Sequence, residues 1–329
     1  MASPNPAAGR EPGLRRWEAA GPWLWVAAAV SGACLMVSLA FAVEPAANRT
    51  ASLEALGWRG AMAAAAGLGV GVAVYGLCLN DLLDRRRDRA LRKASGLIAS
   101  GRLTRRAGLG VCVGALLLVV CCADVLGPAS LQLAVLLAGG VLVYNLTLRF
   151  VPGVGVVSLG LLMALLMMVP NPRAGFLWPV LLSMTQVVAV GVWRAWGLGL
   201  LVKGWALWVV VLGWAFWVLW MVVLIRERSG DELFGASGVS GGLWVPAVVV
   251  GLGLGVAWRF GRTPRARAAV GLGAVGWLPV VDTAWLVSWG LWLPAALHAG
   301  LLVLTGFTAW AWSRRVDGRA AFIDELTPR

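Results

Sequence analysis

Ten apolar stretches divide the chain, most of them about twenty residues long and so able to cross the hydrocarbon core of a bilayer as a helix. They lie at about residues 22–43, 58–80, 107–125, 131–147, 153–169, 176–200, 204–225, 244–258, 268–290 and 291–312. A soluble fold would have to bury all of them. It has little polar surface with which to do so: 60% of the residues are hydrophobic and 13% charged, where soluble domains carry about 25% charged residues. The pattern predicts an all-α, polytopic transmembrane bundle of nine or ten helices. A polar tail over 1–20 precedes a single helical domain over 21–313, and a second polar tail covers 314–329.

The formal net charge is +13 and the isoelectric point about 11.2. Arginines and lysines fill alternate gaps between the apolar runs. This places the N-terminus, residues 81–106, Arg149, Lys203, residues 259–267 and the C-terminus on one side, which the positive-inside rule makes cytoplasmic. The first run is too long for the apolar core of a signal peptide. A multi-pass protein of the cell's inner (plasma) membrane follows. High basicity also suits nucleic acid, but no basic surface interleaved with aromatics and no zinc-ligand spacing supports that partner. Five cysteines contain no Cys-x-x-Cys and all fall within apolar runs, so they read as packing residues. Twenty tryptophans suit interfacial belts and lipid-facing surface. Asn48-Arg49-Thr50, in an outer loop, matches a glycosylation acceptor.

One charged island stands out, NDLLDRRRDRALRKASGLIASGRLT at residues 80–104. On a helix continuing from the second apolar run, Asn80, Asp84 and Asp88 recur every four residues and Asp81 lies one turn before Asp84, gathering oxygens on one face. Hard cations such as Mg²⁺ take oxygen ligands of this kind and bridge them to phosphates. Arg85, Arg86, Arg87, Arg89, Arg92, Lys93, Arg102, Arg105 and Arg106 add positive charge for an anion. The same spacing also suits ordinary Asp–Arg pairs along a solvated helix.

The run Asn80-Asp81-x-x-Asp84-x-x-x-Asp88, with the trailing Ile98-Ala99-Ser100-Gly101-Arg102-Leu103, resembles the first aspartate-rich motif of the UbiA superfamily of intramembrane prenyltransferases. The resemblance implies an all-helical membrane enzyme that uses Mg²⁺ to bind an isoprenyl diphosphate and transfers the prenyl group to a hydrophobic acceptor, aromatic or lipid-like. It implies that Asn80, Asp81, Asp84 and Asp88 hold the metal and that Asp81, Asp84 and Asp88 are catalytic. Tyr144 and Arg149, at the end of the fourth run, are similar to a family tyrosine and basic residue near the diphosphate. Arg149 suits an interfacial anchor equally well.

Two features depart from the family pattern. Residues 186–203 contain no carboxylate where the second aspartate-rich motif belongs, and offer Arg194 and Lys203 in its place. Gly96-Leu97 stands where Arg-Pro is usual. Fixed cations at Arg194 and Lys203 can take on part of a metal's electrostatic role, and Lys203 can also snorkel to the interface. The alternative is a UbiA-like fold without catalysis that binds a lipid or scaffolds membrane partners. A transporter would show paired repeats with interrupted helices, which the sequence lacks.

The remaining polar positions read as structural. Asp124 is expected at an exposed helix end, Asp282 in a helix–helix hydrogen bond or as part of a Val-Asp stretch similar to a divergent UbiA-like branch, and His298 packed. Tyr75 either packs or faces the cavity. Gly67 and Gly71 have the spacing of a close helix contact, as do Gly251, Gly253 and Gly255.

Overall fold

A computed structural model describes residues 12–90, 98, 101, 103–197, 204–229, 244–260 and 274–326. Among these residues ten α-helices are present: α1 (Pro12–Ala42), α2 (Ala51–Ala90), α3 (Arg105–Leu126), α4 (Pro128–Leu146), α5 (Val154–Met168), α6 (Trp178–Gly197), α7 (Gly204–Ser229), α8 (Trp244–Phe260), α9 (Leu278–Ser288) and α10 (Trp292–Leu326). Short 3-10 turns at Ala46–Asn48 and Leu148–Phe150 connect α1 to α2 and α4 to α5. The protein is an integral membrane protein: five of the helices are long and apolar enough to span a bilayer, and Val154–Met168, Leu278–Ser288 and Trp292–Thr308 are shorter apolar segments. Their outward faces stay apolar, with Leu117, Leu136, Leu212, Leu219 and Val303 all exposed. That is the surface lipid requires.

Helix boundaries follow local chemistry. Gly57 takes φ 64°, so α2 starts seven residues before the apolar run and bends there, in a region of backbone space that favours glycine. Gly127 at φ 119° ends α3, and Pro128 opens α4 at the position where a missing N–H costs nothing. The ninth helix, expected over 268–290, has its described part at Leu278–Ser288, opened by Pro279, while 261–273 lie outside the described residues. The C-terminal helix continues to Leu326, so the residues expected as a polar tail are largely helical.

Glycines let α2 sit tightly between its neighbours. A Cβ at Gly69 would lie 2.6 Å from Val30 Cα on α1, and one at Gly71 would lie 2.8 Å from Val119 Cγ2 and 3.1 Å from Ala115 O on α3. Gly67 faces Cys122 of α3 in the same way. In a membrane, where helices gain little from excluding water, this close backbone approach is a main source of association. Gly253 plays the same part on α8, where Trp277 packs against it and its Nε1 donates to Val249 O at 2.9 Å. Tyr75 is buried in the core rather than open to a cavity.

At the end of the bundle away from the charged island, Glu44 joins three elements. Its carboxylate accepts the backbone N–H groups of Gly175 and Phe176, each at 3.2 Å, and Arg228 at the end of α7 donates to Pro172 O and Ala174 O. Mid-bundle, Asp282 on α9 is fully buried beside Ser31 of α1, and His298 of α10 has its ring nitrogens 2.9 Å from Pro294 O and 3.1 Å from Ser31 O. His298 is packed, and Asp124 is exposed at the end of α3.

Candidate functional site

The C-terminal end of α2 delivers the acidic face. Asn80, Asp81 and Asp84 are half-buried and Asp88 is buried. Ile98 is buried, and its Cδ1 would lie 2.6 Å from a Cβ on Gly108. Gly101 takes φ 76°, and Thr104 caps α3 by accepting from Ala107 N at 3.2 Å. This packing holds the start of α3 against the end of the motif.

The corner between α4 and α5 supplies the partner. Buried Asn145 is fixed by donating to Val141 O at 2.9 Å. The 3-10 turn that follows points Arg149 back toward α2, where Nη1 donates to Asn80 Oδ1 and Nη2 to Asp84 Oδ1, the latter at 2.6 Å. The ion pair is shielded, with side-chain exposures of 13% for Arg149 and 16% for Asp84. The centroid of the Phe150 ring lies 4.5 Å from the guanidinium carbon, within cation–π range. The backbone at this corner leaves no slack, since a Cβ on Gly155 would lie 2.9 Å from Arg149 Cα.

Arg149 also forms part of the wall of a cavity of about 230 Å³. Tyr144 and Arg194 join it at the polar end, and the rest of the wall is mostly apolar: Trp25, Leu159, Val187, Val190 and Val275 from four parts of the chain. Both guanidinium groups act electrostatically on Tyr144. Neither Asn80 nor any of Asp81, Asp84 and Asp88 lines this cavity among the described residues.

The structure therefore brings together Asn80, Asp84, Arg149, Tyr144 and Arg194. It does not gather Asn80, Asp81, Asp84 and Asp88 into a single seat: among the described residues no group of three or more Asp, Glu, His or Cys side chains is placed to hold a metal ion. The residues present do not fit the Mg²⁺ implied by the resemblance, because Asn80 Oδ1 and Asp84 Oδ1, two of the oxygens expected to hold it, carry the Arg149 guanidinium between them. The reason is geometric. Spacing along one helix fixes which face a side chain shares, but not what a neighbouring helix presents to that face. Arg102 and Lys203 lie outside the described residues.

No protein-family model and no curated protein matches the chain. Solved structures do. A structure of digeranylgeranylglyceryl phosphate synthase shares its architecture with a TM-score of 0.50 at 14% identity, over 89% of this chain and 99% of that one. The chain has a UbiA-like fold. An apo structure of a UbiA homolog from Aeropyrum pernix K1 also aligns, with a TM-score of 0.47 at 18% identity over 78% of this chain and 97% of that one. Within the UbiA-like bundle, the residues missed by sequence reasoning include the cavity walls Trp25, Leu159, Val187, Val190 and Val275 and the spacer Gly155. Each comes from a segment whose composition resembles that of its neighbours. The sole visible signal was that Gly153 and Gly155 follow Arg149 at the start of an apolar run.

Proposed function

We propose that the chain is a membrane prenyltransferase that takes an isoprenyl diphosphate and transfers its isoprenyl group to a hydrophobic, aromatic or lipid-like acceptor. The carrying observation is the cavity, with apolar walls suited to an isoprenoid tail and a polar end built from Tyr144, Arg149 and Arg194 suited to an anionic head. Guanidinium groups pair with phosphate oxygens in two-point geometry. Here they would stabilise the charge that builds up as the carbon–oxygen bond breaks and diphosphate leaves with the electron pair. The allylic cation then bonds to the acceptor, which gives up a proton. The UbiA-like fold supports this reading, and so does the gathering of arginines at one end of the bundle, which by the positive-inside rule suits a site facing the cytoplasm. Mg²⁺, implied by the resemblance, would have to take Asp84 from Arg149, so the assay runs both with and without it.

The test is diphosphate release by the purified protein in lipid nanodiscs, given isoprenyl diphosphates of graded length and an extract of host membrane lipids. The wild type is expected to turn over, and Arg149→Gln to lose about 10²–10³ in rate, the usual effect of removing one charge-stabilising donor. Binding without any release would favour the second reading, a UbiA-like lipid-binding or scaffold protein without catalysis. The absence of a clustered acidic seat among the described residues speaks for it.

A further inference from the structure

We propose that Asn80 and Asp84 are positioning residues for Arg149, and that the guanidinium they hold is the fixed cation for the anionic head, standing where a divalent ion would otherwise be seated. The inference rests on the prenyl-diphosphate reading above and concerns how that site carries its charge.

Two independent features lead to it. The first is the hydrogen bonding. Of the five N–H donors of a guanidinium, one goes to Asn80 Oδ1 and one to Asp84 Oδ1, on adjacent turns of α2, and the Phe150 ring lies within cation–π range. Nε is buried with no partner among the described residues. A buried donor left unmade is costly, and an incoming phosphate oxygen is the kind of acceptor that would satisfy it. A carboxylate and an amide thus hold two of the donors from α2, and Nε is left for another acceptor.

The second feature is position. Arg149 is on the cavity wall and Asn80 and Asp84 are not. A head group entering the cavity therefore meets Arg149 and Arg194 first, with the acidic face behind Arg149. Asp84 offsets part of the charge on Arg149 and keeps its guanidinium from swinging out to water, and Arg194 adds a second cation at the polar end. An aspartate that served a metal directly would need its oxygens open to the ligand. Here Asp84 is taken by an arginine from 65 residues further along the chain.

The test measures binding of tritiated geranylgeranyl diphosphate to the full chain in nanodiscs, in EDTA and in Mg²⁺. Mn²⁺ binding is followed in parallel by electron paramagnetic resonance, and thermal melts confirm folding. Expected are wild-type affinities within about threefold of each other in the two media. Arg149→Gln should weaken binding by roughly 10- to 100-fold, the range for a lost hydrogen bond to a charged group. Asp84→Asn should weaken it about tenfold, by a similar factor in EDTA and in Mg²⁺. Adding Asp84→Asn to Arg149→Gln should cost nothing further, because the aspartate acts through the arginine. Asp84→Glu should recover part of the loss, which a merely structural role would not require. The proposal is overturned if binding requires Mg²⁺ and the wild type holds Mn²⁺ that Asp84→Asn loses; the prenyl-diphosphate reading then survives without it. Absence of binding in both media overturns both. Should Arg149→Gln fail to fold, Arg149→Lys serves: a point charge without the planar fork should keep the fold and weaken binding in EDTA, and unchanged binding by it would count against the proposal.

Discussion

Removing the Glu44 carboxylate tests what holds the far end of the bundle together. Glu44 is 6% exposed and accepts two backbone N–H groups, those of Gly175 and Phe176, both buried in the turn that leads into α6. Glu44→Ala leaves both donors without an acceptor, at about 1–3 kcal/mol each. Part of that cost is returned because a charge no longer has to be kept out of water. The net loss is about 2–4 kcal/mol, a fall in melting temperature of roughly 3–6 °C for a chain of this length. Intrinsic tryptophan fluorescence in detergent reads it directly. Burial holds the Glu44 carboxyl above its usual value of 4.5, opposed by the Gly175 and Phe176 N–H groups and by Arg228 and Arg49. An acid whose folded value is raised contributes stability that is full below its unfolded value and lost as pH rises through the folded one. Non-titrating Glu44→Gln should therefore gain on the wild type as pH increases through that window. A Glu44→Ala melt within a degree of wild type, or a wild-type advantage over Glu44→Gln that grows with pH, would refute the argument.

Three further outcomes follow from the packing. Gly155→Ala places a Cβ 2.9 Å from Arg149 Cα, so the corner must shift; isoprenyl diphosphate binding should drop roughly tenfold or more, measured by the same binding assay, while the fold persists by size-exclusion profile. Arg194→Gln removes the second cation of the cavity and should raise KM more than it lowers kcat if Arg194 grips ground state and transition state alike, which steady-state kinetics separates. Asp282 is 0% exposed within the bundle, where a charge costs ~2.5–3.5 kcal/mol on insertion scales. Asp282→Asn should therefore melt at or above wild type, and a loss of several degrees would show that the carboxylate is ionised and paired.

The helices could be read from sequence because a membrane helix is a local signal: length and apolarity suffice, and Gly127-Pro128 acts on its own neighbours. The site could be read halfway, for a reason that α2 itself illustrates. Its last turns alternate aspartates and arginines, and i, i+4 spacing is equally compatible with a cation seat and with pairing along the helix. The decisive interaction is neither. Asp84 pairs with Arg149, and Asn80 accepts from the same guanidinium across 69 residues, because α2 and α4 are both packed, through small residues, close enough for a long side chain to reach across. Arg149 is also the residue whose isolated setting, after a tyrosine and an asparagine at a helix end, suited a membrane anchor as well as a ligand contact. The same logic explains the missing acidic motif on α6. If the head group is met by Arg149 and Arg194 together, carboxylates at positions 186–203 would draw those arginines away from the anion, and a chain that relies on fixed cations has reason to carry none there.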